Sequence, residues 1–298
     1  MPRLSISLCI ILVACAVVRA DDFATSVLGY EPGANPAGGF TNPTRALGPP
    51  ERFTGEGIAP GVVSPFQPAF LPAELVSIGR GGSLTLSFDP PLVDDARNPF
   101  GTDFIVFGNS FFVDVSPPDG VVGGLVADGG FVEASADGVT WFAFASGQAD
   151  GLLPTLGYAD AGPYATAAGV LPTDPNLPAD PALTPDALVG LSYAELVVRY
   201  GGSAGGAGFD LASVGLAHAV AIRITNPAGF GPNVEIDAVA RVKAALPSPD
   251  LNGDGVVDGF DLGQVLSAFG SNDATSDLDG NGIVDGSDLT AILAGWSS

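Results

Sequence analysis

One twelve-residue acidic loop occurs twice near the end of this chain, as DLNGDGVVDGFD from Asp250 to Asp261 and DLDGNGIVDGSD from Asp277 to Asp288. The starts lie 27 residues apart, which marks a duplicated unit. Side-chain oxygens fall at loop positions 1, 3, 5, 9 and 12. In the first copy these are Asp250, Asn252, Asp254, Asp258 and Asp261; in the second they are Asp277, Asp279, Asn281, Asp285 and Asp288. Position 6 is Gly255 or Gly282, where the backbone must turn sharply. Position 7, Val256 or Ile283, offers a main-chain carbonyl. This is the ligand set of a hard cation of calcium's size, so two Ca2+ ions are expected, one per loop. Nine aspartates with no lysine or arginine from Asp250 onward repel one another without metal. A segment of about fifty residues also has little core of its own, so its folding is expected to depend on calcium.

Each loop leads into an apolar stripe with i, i+3, i+4, i+7 spacing, Leu262, Val265, Leu266 and Phe269 after the first and Leu289, Ile292, Leu293 and Trp296 after the second. That spacing predicts a short helix with one apolar face, and Gly270 and Gly295 stand where the helices should stop. The segment LPSPD precedes the first loop, so each unit reads loop then helix. Position 12 is Asp where the usual EF-hand has Glu. With these features, Asp250 to Trp296 resembles a type I dockerin, the calcium-dependent docking module of bacterial extracellular polysaccharide-degrading systems. The resemblance implies that the ten side chains above are calcium ligands and that a cohesin-like or other surface protein is the partner. It also implies that partner choice is read at positions 10 and 11, here Gly259 and Phe260, then Gly286 and Ser287. Only Ser287 keeps the hydroxyl that cellulosomal members often carry there.

At the other end, Met1-Pro2-Arg3, the apolar run Leu4 to Val18 and the exit Val18-Arg19-Ala20 read as a secretory signal cleaved after Ala20. Leu12-Val13-Ala14-Cys15 also fits a lipobox, and lipidation at Cys15 is the alternative. Both cysteines, Cys9 and Cys15, lie in this segment, so no disulfide staples the chain from Asp21 onward. No later run is long and apolar enough to span a membrane as a helix. With 33 acidic against ten basic residues and a net charge of −23, the surface repels nucleic acid. A secreted or cell-surface location in a calcium-containing medium follows.

The 42 glycines and 26 prolines point to a turn-rich, mainly β domain, and 46% apolar residues to a folded one. Strands are predicted at Ser83 to Phe88, Asp103 to Phe107, Phe131 to Ala134, Val139 to Phe144, Ala219 to Thr225 and Val234 to Val242, with another at Leu196 to Tyr200. Asp137-Gly138 reads as a hairpin turn. Asp186 to Leu191 and Phe209 to Val214 hold a helical turn or two at most. Strands without long helical crossovers favour an antiparallel sandwich. Ala149 to Leu188, rich in Pro, Ala, Gly and Asp, reads as a long excursion, either a binding loop or disorder.

FVEASADGVTWFAFA, Phe131 to Ala145, resembles the strand, turn, Trp, strand unit of discoidin-like, galactose-binding-like sandwiches, and HAVAIRIT resembles their penultimate strand with Arg223 as the recurrent arginine. The order GGSLTLSFDPP, DFIVFGN, VEASADGVTW, FDLASVGL, AIRIT, EIDAVA is also similar to an uncharacterised domain of bacterial and archaeal cell-surface proteins. The expected fold is thus mainly β. A leader (1–20) precedes a jelly-roll, galactose-binding-like sandwich (21–245), a linker (246–249) and an α-helical dockerin-like module (250–298).

Within the sandwich, Trp141 reads as core or as a sugar-stacking ring. Tyr158, Tyr164, Tyr193 and Tyr200 read as loop padding or as ligand contacts. Asp103, Asn109, Asp114 and Asp119 are candidates for a further structural Ca2+, and Asp137 serves its turn. No catalytic residue is assigned. The single histidine, His218, lacks partners for a triad or zinc site, and no nucleophile, metalloprotease or phosphate-loop motif occurs. The favoured expectation is a secreted, non-catalytic protein whose tail docks in calcium and whose sandwich binds carbohydrate. A dockerin-borne polysaccharide hydrolase and a structural surface protein are the alternatives.

Overall fold

A computed structural model describes residues 22–297 except Ser146, Gly147, Phe230 and Ala245. The expected leader, with its exit at Ala20 and Cys15, lies outside the described residues. The chain divides into two compact units, one built from residues 22–93 and 102–242, the other from Asp94–Gly101 and residues 243–297.

The large unit is mostly β. Its strands are β1 (Ser26–Glu31), β2 (Phe53–Thr54), β3 (Gly61–Val62), β4 (Val76–Ile78), β5 (Gly82–Val93), β6 (Phe104–Gly108) and β7 (Phe111–Asp114). There follow β8 (Val122–Val126), β9 (Phe131–Ser135), β10 (Phe142–Ala143), β11 (Ala207–Phe209), β12 (His218–Asn226) and β13 (Val234–Arg241). Two short helices, α1 (Pro185–Leu188) and α2 (Tyr193–Tyr200), interrupt them. One antiparallel sheet runs β1-β5-β12-β9-β10 and a second β11-β6-β13-β4; β2-β3 and β7-β8 form separate pairs.

The two larger sheets share one apolar core. In β5, Leu84, Leu86 and Phe88 point inward while Ser83, Thr85 and Ser87 stay half-buried, the alternation of a strand wetted on one side. Strand β6 does not alternate. Its Phe104 and Val106 join the shared core, and Ile105 and Phe107 join a second cluster with Phe23, Ala238 and Ala240. The continuous apolar run DFIVF is the signature of a strand covered on both faces.

The excursion from Ala149 to Leu188 is ordered. Leu153, Leu156 and Leu188 pack with Phe66, Phe112, Tyr193, Leu196 and Tyr200 in a cluster of their own. Leu196–Tyr200, expected as a strand, is instead the end of α2. Ser192 caps that helix and Glu195 reaches back to the Ser192 N–H at 2.9 Å, a capping box that overrides the β-branched run. The second arm of the Asp137-Gly138 hairpin is also shorter than expected, only Phe142–Ala143. Val139 and Thr140 belong to the turn, donating to Asp137 Oδ1 at 2.8 and 2.7 Å. Phe209 ends β11, and Leu211–Val214 forms the expected helical turn.

The small unit carries α3 (Gly259–Ala268) and α4 (Gly286–Ala294). Val265, Leu278, Val284 and Ile292 form its buried centre. Among the described residues no helix is long and apolar enough to cross a membrane.

Candidate metal centre

The repeated loops fold the same way because the same donors meet the same acceptors. In the first, the carboxylate of Asp250 accepts the N–H groups of Asp254 and Gly255 at 3.2 and 2.8 Å. In the second, Asp277 accepts those of Asn281 and Gly282 at 3.1 and 2.8 Å. The position-6 glycines have φ of 88° and 92°, a region that a side chain would strain. The turn that the sequence placed there is therefore present in both copies.

Position 12 closes each loop. Asp261 Oδ1 accepts from Leu251 and Asn252 while Oδ2 accepts from the Asp258 N–H at 2.9 Å. Asp288 repeats this with Leu278, Asp279 and Asp285. Asp258 and Asp285 are at the same time the N-caps of α3 and α4, each in a capping box with its position-12 aspartate. One carboxylate thus ties the start of the loop to the first turn of the helix. At Asp261 these N–H bonds, led by that of Asp258, hold the carboxyl below its ordinary range. At Asp288 burial pushes upward, but the N–H groups of Asp285, Asp279 and Leu278 outweigh it and the net direction is down.

Asp277, Asp279 and Asp288 bring carboxylate oxygens within 4.8 Å of one another, a span that six to eight oxygens around one Ca2+ occupy. The first loop has no such trio, because Asn252 stands where the second has Asp279. Its amide instead donates to Asp254 Oδ2 at 2.9 Å. The loops also clamp the opposite helix ends. Val284 exchanges backbone bonds of 2.8 Å with Gly270 and Ser271 after α3, and Val257 accepts from the Ser297 N–H at 2.9 Å after α4.

Only part of each apolar stripe is buried. Val265 and Ile292 face the centre; Leu266, Phe269, Leu293 and Trp296 are exposed, as is Phe260 at loop position 11, with three-quarters of its surface free.

The large unit disperses the other candidates. Asp103 Oδ2 accepts from Leu211 N–H, Asn109 donates to Glu235, and Asp114 and Asp119 serve the turn between β7 and β8 through Ser116, Gly120 and Val121. They do not gather at the joint calcium site expected of them, because the length of β6 stands between Asp103 and Asn109 while Asp114 and Asp119 belong to the β7–β8 turn. Tyr193 and Tyr200 are core residues, Tyr164 bonds Asp114 Oδ2, and Tyr158 lies in an isolated bridge to Pro172. Trp141 is half-buried, with the Arg223 guanidinium 4.1 Å above its ring and that guanidinium bound to Glu133 Oε2 at 2.6 Å. His218 is exposed at the start of β12.

No protein-family model and no curated protein matches the chain.

Proposed function

We propose that this is a secreted, non-catalytic protein that docks through its C-terminal module in a calcium-dependent way, with a galactose-binding-like sandwich that binds carbohydrate or a cell-surface glycan. The observation that carries the reading is the second loop, where Asp277, Asp279 and Asp288 present oxygens over a cation-sized span inside a fold repeated by the first. A cohesin-like partner is supported by Phe260, Leu266, Phe269, Leu293 and Trp296, which expose more apolar surface than a unit this small needs for itself. Glycan binding is supported by the solvent side of β9 and β12, where Glu133, Arg223 and Trp141 form a polar and aromatic ladder beside the exposed Phe131.

Replacing Asp250 and Asp277 together by Ala tests the docking half. Calcium is expected to raise helix content in the parent protein and leave the variant unchanged, with partner capture lost in step. An equal calcium response in both refutes the loop assignment. For the other half, glycan binding by the full chain should fall at least tenfold in Trp141→Ala, and silence of the parent across a broad glycan array refutes it.

A further inference from the structure

The chain has ten asparagines, and two of them, Asn252 and Asn281, are followed by glycine. Asn35, Asn42, Asn98 and Asn226 precede proline, which has no N–H. Asparagine before glycine is the pair most open to loss of the side-chain amide, because the next backbone nitrogen can attack Cγ with no Cβ on the glycine in its way. Both pairs fall in the repeated loops, at loop positions 3 and 4 in the first and 5 and 6 in the second. In each case the other copy has aspartate at that position: Asp279 answers Asn252, and Asp254 answers Asn281.

The closed loops keep both pairs from reacting. The Gly253 N–H, whose nitrogen would attack Asn252, donates to Asp250 Oδ1 at 2.9 Å. The Asn252 amide is pinned on both sides, Oδ1 accepting the Asp254 N–H at 3.0 Å and Nδ2 donating to Asp254 Oδ2 at 2.9 Å. The second loop repeats this. The Gly282 N–H donates to Asp277 Oδ2 at 2.8 Å, Asn281 Oδ1 accepts the Ile283 N–H at 2.9 Å, and Asn281 Nδ2 donates to Asp279 Oδ2 at 3.0 Å. Asp250, Asp254, Asp277 and Asp279 thus hold the reacting groups in place. They are also like charges in a segment with no lysine or arginine, and repel one another when nothing neutralises them. Asn252 and Asn281 are exposed, so water reaches them.

We propose that Asn252 and Asn281 are hydrolytic modification sites guarded by calcium, an inference that rests on the calcium reading of the tail. When a loop opens, the glycine nitrogen bonds to asparagine Cγ, its proton passes through solvent to the amide nitrogen, and ammonia leaves a cyclic imide. Water then opens the imide at one of its two carbonyls. One opening gives aspartate; the other gives isoaspartate, with the main chain running through the side-chain carbonyl carbon. Aspartate makes the two loops alike, DLDGDG in both, and gives the first the position-3 carboxylate it lacks. Isoaspartate adds a main-chain methylene beside Gly255 or Gly282, which already turn at φ of 88° and 92°, and prevents closure. A tail kept long without calcium therefore loses the ability to take it up again.

The test holds the full chain at physiological temperature in calcium or in chelator. Peptide mass spectrometry follows amide loss, and native mass spectrometry counts bound calcium. In chelator, Asn252 and Asn281 should convert at least tenfold faster than in calcium. They should also outpace Asn109 tenfold, since the Ser110 N–H that follows it is held by the buried Asp150. On return to calcium, the helical signal should come back only in proportion to the chains free of isoaspartate. Asn252→Asp with Asn281→Asp should recover it in full, because a carboxylate resists the attack that an amide undergoes. A parent that carries calcium yet converts equally in both solutions, or keeps both asparagines in chelator, overturns the proposal. So does an Asn252→Asp, Asn281→Asp variant that recovers no better than the parent. A parent that binds no calcium at all refutes the tail assignment, and the guard with it.

Discussion

Asp137 shows how one side chain can organise a turn. Its Oδ1 accepts the N–H groups of Thr140 and Val139, its Oδ2 the Thr140 hydroxyl, and the first two bonds hold the carboxyl down to about 2. A folded pKa below the unfolded one stabilises above the ordinary carboxylate pKa of about 4, and the contribution is lost as pH falls through the folded value. An NMR titration should therefore place the Asp137 midpoint near 2, with the Val139 and Thr140 amides moving along with it; a midpoint near 4 contradicts the turn. Asp261 and Asp288 are shifted the same way. The tail in calcium should accordingly hold at neutral pH and unravel in acid below the ordinary carboxylate range.

Among the elements, α4 lets folding be tested apart from the proposed docking within one turn. Ile292 is fully buried in a centre of four residues, whereas Leu293, its neighbour, is mostly exposed. Ile292→Ala should cost about 2–5 kcal/mol, enough to unfold so small a unit, and should abolish the calcium-induced helical signal. Leu293→Ala should leave that signal intact while weakening partner capture. Equal effects of the two would show that the exposed stripe is structural. In the large unit, α2 depends on its cap: Ser192→Ala removes the hydroxyl that accepts the Glu195 N–H and bonds Glu195 Oε2, leaving only the arm from Glu195 to the Ser192 N–H, and should cost about 1 kcal/mol, read as a lower unfolding midpoint in denaturant.

At the scale of the molecule, the net charge of −23 favours the binding of cations over anions. In hydrogen exchange, amides of the two loops, such as Gly255 and Gly282, should lose protection in chelator while those of β5 and β12 keep theirs. Loss of protection across both units together would mean that they fold as one.

What the sequence determined by itself is local. The loops were legible because the spacing of Asp250, Asp254 and Asp261, with Gly255 between them, prescribes its own hydrogen bonds, and the helices after them because their apolar period is intrinsic. Strands such as Ser83 to Phe88 were legible because one face is wet, which writes an alternation into the residues. Tertiary structure decided the rest. Leu196–Tyr200 is helical because Ser192 and Glu195 cap it and the cluster around Phe66 receives it. Asp103 and Asn109, plausible co-ligands in the chain, are parted by the separate backbones and side chains that claim them. Asp150, unremarkable among Ala149 and Gly151, reaches the Ser110 N–H beside Gly108 only once distant segments are brought together. Burial and long-range proximity are properties of the packed chain, and no periodicity encodes them.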